Sequence, residues 1–126
     1  MVILTKQGES ILLQKIVNKI EPQNFVLHLY NNDYTPKKSS TRQNFEELSN
    51  ENGYSSKTMW GLFWELSAGK IKAVEEIFSF TGKVGKVFGW FITEGDTVIW
   101  AEKFDNYFDG KRNGDKIKLN FRLGIK

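Results

Sequence analysis

Residues 75–104 constrain the fold most, because three apolar runs lie there between glycine-containing turns. Gly95 and Asp96 separate the second run from the third. A two-residue Gly-Asp loop between β-rich flanks is a strong hairpin signal, because glycine readily adopts the positive φ of primed turns. The sequence therefore predicts a β-hairpin at the centre of the fold.

The register of this hairpin follows from its turn. Pairing Glu94 with Thr97 predicts that Ile92 lies opposite Ile99. Strict alternation places Trp90 opposite Ala101, and it predicts one face with Phe88, Trp90, Ile92 and Ile99 and another with Phe91, Val98, Trp100 and Phe104. A half-buried hairpin has one polar face, so a hairpin that is apolar on both faces needs cover on both. That cover must come from a second sheet, a helix or another subunit.

The N-terminal part of the chain predicts a helix over about residues 7–20. Apolar residues recur there at helical spacing, Glu9 lies in the first turn and Lys19 in the last, and Pro22 stops the helix. Its apolar stripe is a natural lid for one face of the hairpin.

Most of the remaining chain predicts short strands. These cover residues 24–31, 54–59, 62–67, 74–80 and 116–123, with a strong turn at Asn52 and Gly53, a long polar loop over residues 31–44 and another loop after Phe104. The predicted fold is mainly β: a single domain over residues 1–126, a jelly-roll-like β-sandwich of seven or eight short strands with an N-terminal arm and one helix.

Composition argues against several kinds of site. The chain has no cysteine and one histidine, which excludes thiolate metal sites and histidine pairs, and we expect no metal and no cofactor. The net charge of +3 is too small to indicate nucleic acid as a partner. No apolar run approaches the length of a membrane span.

Motifs that carry chemistry are also weak. The neighbouring pairs Glu46-Glu47 and Glu75-Glu76 point to opposite faces of a strand, so neither supplies two carboxylates to one cleft. Residues 105–110 have the composition of a calcium loop without its ligand spacing, and residues 82–86 lack the order of a phosphate loop. His28 is expected to be a surface or hydrogen-bonded structural histidine. We therefore predict no catalytic residues and no enzyme.

Several short blocks, which follow one another in order along the chain, resemble a family of small virion-associated proteins of tailed phages, especially marine and cyanobacterial ones. The blocks are Gly8 with Leu12-Leu13, residues 22–36, Phe45-Glu46, Asn52-Gly53-Tyr54 with Lys57-Thr58, Trp64, residues 78–82, residues 87–92, residues 99–102 with Phe104, and residues 113–117. The resemblance spans nearly the whole chain. It implies a non-enzymatic β-sandwich that coats or completes a particle, made in the host cytoplasm and located in the virion.

Two functions follow as expectations. The first is a capsid decoration (cement) protein, or a tail or fibre-associated component, which binds major capsid or tail proteins and forms a homo-oligomer. Its expected contacts are Val2, Ile3, Leu4, Ile11, Leu12, Phe63, Trp90 and Trp100. The second is a carbohydrate-binding module whose rings stack on a sugar, with Tyr30, Tyr34, Tyr54 and Tyr107 as the expected rings, because they lie in or beside polar loops.

Overall fold

The structure, a computed structural model, describes residues 1–20, 24–59 and 66–125. Its described elements are β1 (Ile3–Leu4), α1 (Lys6–Asn18), β2 (Phe25–Tyr30), a short 3-10 helix (Arg42–Asn44), β3 (Lys57–Met59), β4 (Lys72–Ser79), β5 (Gly85–Glu94), β6 (Thr97–Gly110) and β7 (Lys116–Leu123). The predicted N-terminal helix is confirmed, as are the strands that correspond to β2, β4 and β7.

The strands form two antiparallel sheets. A five-stranded sheet has the order β1-β6-β5-β2-β3, and β4 pairs with β7 in a two-stranded sheet. The protein is therefore mainly β with a sandwich-like arrangement, as the sequence predicts. The alternation of β7 is complete, since every second side chain from Ile117 to Leu123 is buried.

Helix α1 has well-defined ends. Thr5 lies in extended conformation before it, and its hydroxyl accepts a hydrogen bond from the Gly8 N–H at 2.9 Å, a contact typical of helix N-caps. Lys19 ends the helix in the left-handed conformation with φ 54°. The stop expected at Pro22 lies outside the described residues.

Gly8 determines how closely α1 approaches β6. A Cβ at this position would lie 2.6 Å from the Cα of Ile99, closer than real Cβ contacts. Thr5 reinforces the approach, because its N–H donates to the Ile99 carbonyl at 2.9 Å and its hydroxyl donates to the Val98 carbonyl. The helix is thus attached to β6 by backbone contact, and Leu12 enters the core beneath it.

The predicted hairpin forms between β5 and β6, but its register is wrong beyond the turn. Glu94 pairs with Thr97 as expected, whereas Ile92 pairs with Trp100 instead of Ile99. Ile99 is the extra residue of a β-bulge, in which two residues of one strand oppose one residue of the other. The Ile99 and Trp100 side chains consequently both join the core between the sheets, although alternation predicts opposite faces.

A second irregularity changes the other end of the hairpin. Val87 pairs with Phe108 and Gly89 with Lys103, so the intervening residues of β6 bulge opposite Phe88. Phe88 therefore packs on the Phe91 side of the sheet, not on the side predicted. The loop predicted after Phe104 is also wrong, because β6 continues through this bulge to Gly110.

The strand predicted over residues 62–67 is wrong at its end. Leu66 and Ser67 are helical, and residues 62–65 lie outside the described part of the chain. The turn at Asn52 and Gly53 is confirmed, since both have positive φ, 54° and 84°.

Both faces of the central hairpin are covered, as the sequence requires. On one side the two-stranded sheet and α1 enclose the main core, where the Trp90 and Phe121 rings stack with centroids 4.0 Å apart. On the other side the loop after β2 covers a smaller cluster. Its buried members are Tyr30, Phe45, Phe91, Val98 and Ala101.

A part-buried polar cluster and an open apolar groove

Glu47 is the centre of a polar cluster between the long loop and the five-stranded sheet. One of its carboxylate oxygens lies 2.8 Å from His28 Nδ1 and 2.6 Å from the Tyr54 hydroxyl, and the other lies 3.4 Å from the Arg42 guanidinium. His28 lies in β2, and Glu47 forms an isolated antiparallel bridge to Tyr30 at the end of the same strand. The cluster therefore attaches the loop to the sheet.

The histidine of this cluster is hydrogen-bonded at both ring nitrogens. His28 Nε2 lies 2.9 Å from the hydroxyl of Thr93 in β5, and its ring stacks on Phe91 with centroids 4.6 Å apart. Because an ionised carboxylate only accepts, Nδ1 carries the proton of the bond to Glu47. The prediction of a hydrogen-bonded structural histidine is confirmed.

The surroundings of Glu47 favour its ionised form. Burial alone would raise the pKa of its carboxyl, but the hydrogen bonds from His28 and Tyr54 and the nearby Arg42 charge outweigh burial and leave the pKa below its ordinary value. Burial, followed by the bond to Glu47, raises the pKa of the Tyr54 hydroxyl well above its ordinary value. The cluster therefore contains a carboxylate and a protonated phenol at neutral pH.

The order Thr93, His28, Glu47 resembles a hydroxyl–imidazole–carboxylate catalytic triad. Such a triad needs a nucleophile that a substrate can reach, and Thr93 is only 3% exposed. The Tyr54 hydroxyl also accepts the Leu29 backbone N–H at 3.0 Å, so the cluster satisfies buried backbone as well as side chains. These bonds connect the loop to the sheet.

The four tyrosines expected to stack on a sugar do not form one surface. Tyr30 and Tyr54 are buried, so that expectation is wrong for both. Tyr34 is half-buried, and its hydroxyl is 2.6 Å from Ser40 Oγ. Tyr107 is 50% exposed beside Phe88, at the β6 bulge. The error arises because the loops fold back over the sheet and enclose the tyrosines near them.

Three of the eight residues expected at a subunit interface are buried. Leu12, Trp90 and Trp100 are buried in the main core, so a second subunit cannot contact them, and the expectation is wrong for these three. A hairpin with two apolar faces is covered within one chain. Phe63 lies outside the described residues.

The N-terminal arm lies against its own chain. Ile3 pairs with Ala101 and Leu4 with Trp100, which makes the arm the edge strand β1. The half-buried expected contacts are Val2, Ile3, Leu4 and, in α1, Ile11.

An open apolar surface of the described residues lies on the side of α1 that faces away from β6. Leu13 and Ile16 line a groove of about 470 Å³ together with Ile71 and Ile125, which flank it from the other side. Leu13 is 46% exposed and Ile71 is 69% exposed. Glu9 and Lys70 are the charged residues of the lining. This groove was not predicted, although Leu13 and Val17, four residues apart in the helical pattern, were a usable signal.

Val17 lies four residues after Leu13 on the same face of α1, and Ile20 directly follows the C-cap of the helix. They are 78% and 51% exposed. Monomeric soluble proteins rarely leave contiguous large apolar surface open, and such surface commonly marks a binding site. We call this surface, formed by Leu13, Ile16, Val17, Ile20, Ile71 and Ile125, the α1 groove.

Comparison with known proteins does not assign the α1 groove or the polar cluster. No family model, curated protein or solved structure matches the chain. Within residues 1–20, 24–59 and 66–125, no group of three or more acidic or histidine side chains is placed to hold a metal ion. The helices of that same part of the chain are too short or too polar to cross a membrane.

Proposed function

We propose that this protein is a non-enzymatic structural component of a phage particle, a capsid decoration protein that stabilises the shell through subunit contacts. The observation that carries the proposal is the α1 groove, an apolar surface that α1 and the ends of β4 and β7 present to solvent. A decoration protein needs such a surface, because apolar burial drives most protein association. The resemblance of the sequence to small virion proteins supports the same role.

The body that carries this groove suits repeated assembly. The two sheets share one core through Trp90 and Phe121, and the polar cluster at Glu47 fixes the longest loop. A surface on a rigid body loses little conformational freedom on binding, which favours affinity. Copies of such a subunit present the same contact geometry at every position on a shell.

A tail or fibre-associated role is the alternative within the same class. The groove suits either location, because its chemistry is apolar in both. The carbohydrate-binding role has less support, since only Tyr107 of the four expected rings remains half exposed.

Binding to particles tests the proposal directly. Purified protein is mixed with tailed-phage heads and, separately, with isolated tails, and each mixture is sedimented through a density gradient. Saturable co-sedimentation with heads, and a higher temperature of DNA release from the decorated heads, are expected. Binding to tails alone would favour the alternative, and binding to neither would overturn the structural role.

A further inference from the structure

We propose that the outward face of the two-stranded sheet binds the phosphates of duplex nucleic acid without regard to sequence. This activity goes beyond the structural role, and the surface shares no residue with the α1 groove. A row of cations on β7 carries it, together with the small negative charge beside that row and the absence of aromatic rings from the same face.

The positive charge of the chain is concentrated in residues 111–126. This segment holds six Lys or Arg and one Asp, whereas residues 1–110 hold 12 Lys or Arg and 14 Asp or Glu. The segment therefore has a net charge of +5 and the rest of the chain −2. The small net charge of the whole chain conceals this asymmetry, and clustering of cations on one face is typical of nucleic-acid-binding proteins.

Strand β7 arranges these cations in a row on one face of the two-stranded sheet. Every second residue of β7 is buried, and the exposed residues between them are Lys116, Lys118, Asn120 and Arg122. At about 3.4 Å per residue, Lys116 and Arg122 lie about 20 Å apart along the strand. Duplex DNA carries one negative charge per about 1.7 Å of its axis, so a row of this length faces many phosphates.

The turn before β7 adds two more cations. Lys111 and Arg112 are exposed there, and the carboxylate of Asp115 accepts both of their backbone N–H groups, at 2.9 Å and 3.2 Å. The one carboxylate of the segment therefore holds the turn at the Lys116 end of the row. Five cations consequently extend from this turn along β7.

Little negative charge on β4 offsets the row. The β4 residues that share the outward face are Ala73, Glu75, Ile77 and Ser79. Glu75 lies 3.2 Å from Lys118, and their side chains are 62% and 63% exposed. Such an exposed ion pair is weak, so it does not prevent Lys118 from binding a phosphate. Within the described residues, Lys116 and Arg122 form no salt bridge.

The side chains of this face favour a duplex over other polyanions. Binding to duplex DNA without sequence preference needs only cations placed against phosphates. Single-strand sites add aromatic rings on which bases stack, and the outward residues of β4 and β7 include no ring. Protein interfaces have an apolar centre, whereas this face offers Ile77 as its one large apolar side chain.

Fluorescence anisotropy of a labelled duplex of about 20 base pairs measures the binding. With about three to five phosphate contacts, log K should fall against log salt concentration with a slope of about −3 to −4.5 between about 50 mM and about 200 mM salt. Two duplexes of unrelated sequence should bind equally, because phosphates carry no sequence information.

Removing the row should weaken this binding. A variant with Lys116→Gln, Lys118→Gln and Arg122→Gln should bind at least about tenfold more weakly, with a slope shallower by about 3. A second variant, Lys116→Arg with Lys118→Arg, keeps the charge and should bind like the unmodified protein. Circular dichroism identifies any variant that fails to fold.

The matched control removes the same charge from another part of the surface. Lys6→Gln, Lys37→Gln and Lys38→Gln change three exposed lysines that lie outside the two-stranded sheet. This triple variant should lose less than about threefold in affinity, because salt screens charges that do not contact the duplex.

Several outcomes would overturn the inference. They are no binding at about 50 mM salt, an equal loss of affinity in the control, and tighter binding to a single strand, to poly-glutamate or to phosphatidylserine vesicles than to the duplex.

The outcomes also separate this inference from the proposed function. A protein that binds duplexes through β7 but binds neither heads nor tails contradicts the structural role and leaves the nucleic-acid surface intact. A protein that decorates heads but does not bind a duplex contradicts this inference alone.

Discussion

At the scale of single residues, Glu47 explains why one histidine and one tyrosine lie beside a long polar loop. Its carboxylate accepts from His28, Tyr54 and Arg42, which come from β2, from the segment before β3 and from the 3-10 helix. Each donor lies far from the others along the chain or in a different element. Residue types alone show no such convergence.

Tyr54→Phe should destabilise the protein by about 1–3 kcal/mol. The substitution removes a donor to Glu47 and leaves the Leu29 N–H without the hydroxyl that accepts it at 3.0 Å. Urea denaturation followed by tryptophan fluorescence measures the change. Tyr107→Phe, at a ring that is 50% exposed, is the control and should change stability by less than about 0.5 kcal/mol. Equal effects of the two substitutions would show that the Tyr54 hydroxyl contributes nothing to stability.

The stability of the protein should fall in acid partly because of Glu47. Its pKa is lowered in the folded state, so the unfolded chain binds the proton more readily and stability rises with pH. The contribution is complete above the ordinary carboxyl pKa of 4.5 and disappears as the pH falls through the lower folded value. Unfolding free energies of the unmodified protein and of Glu47→Gln, measured from pH 6 to about pH 3, should therefore converge in acid. A difference that stays constant over this range would contradict the assignment.

At the scale of elements, Gly8 and the β-bulge at Ile99 determine the position of α1. The helix approaches β6 where the bulge presents the Val98 and Ile99 carbonyls, and Thr5 donates to both. No side chain other than that of glycine fits between the two backbones at this point.

Gly8→Ala should destabilise the protein by about 1–3 kcal/mol, although alanine is the better helix former by about 1 kcal/mol. The added methyl would lie 2.6 Å from the Ile99 Cα and 2.9 Å from Thr5 Oγ1, so α1 would have to shift away from β6. Ser10→Ala, on an exposed position of the same helix, should leave stability unchanged or raise it slightly. Thermal denaturation measures the stability of both variants. A Gly8→Ala protein more stable than the unmodified one would mean that α1 does not approach β6 so closely.

Sequence periodicity predicts the elements whose pairing is regular, and it fails where a strand contains an extra residue. The strict alternation of β7 and the helical spacing of α1 are both visible in the sequence. The bulge at Ile99 is not visible in the sequence, because no residue type marks it. A bulge nevertheless moves every following side chain of its strand to the other face. The continuation of β6 beyond Phe104 reads as a loop for a different reason, because Asn, Asp and Gly, which are typical of turns, recur there.

The candidate sites were less predictable than the fold. The contact between His28 and Glu47 joins residues 19 positions apart, and it depends on how the loop folds back over β2. Burial of Tyr30 and Tyr54 has the same cause. The α1 groove is different, since it leaves a helical stripe in the sequence at Leu13 and Val17. The helical spacing alone does not distinguish this exposed stripe from the buried stripe that contains Gly8 and Leu12.

At the scale of the whole molecule, the two sheets depend on each other through a few large side chains. The two-stranded sheet covers the main core of the five-stranded sheet, and the stack of Trp90 on Phe121 is a central contact between them. An isolated two-stranded sheet is at best marginally stable in water. We therefore infer that β4 and β7 are stable because of their partner sheet.

Phe121→Ala should cost about 3–5 kcal/mol and should affect the two sheets unequally. Backbone hydrogen exchange should accelerate most in β4 and β7, because these strands lose their contact with Trp90. Arg122→Ala, one residue further along β7 with an exposed side chain, is the control and should leave the exchange pattern unchanged. Uniform acceleration through both sheets would show that they unfold as one unit.

The attachment of the N-terminal residues to β6 has a consequence for synthesis on the ribosome. Thr5 bonds to Val98, 93 positions later in the chain, and β1 pairs only with residues of β6 among the described strands. Residues 3–5 therefore leave the ribosome before the strand that they pair with has been made. At usual rates of translation this delay is about 5–20 s. Throughout that time β1 lacks the strand that it pairs with, so its apolar residues stay exposed on the nascent chain.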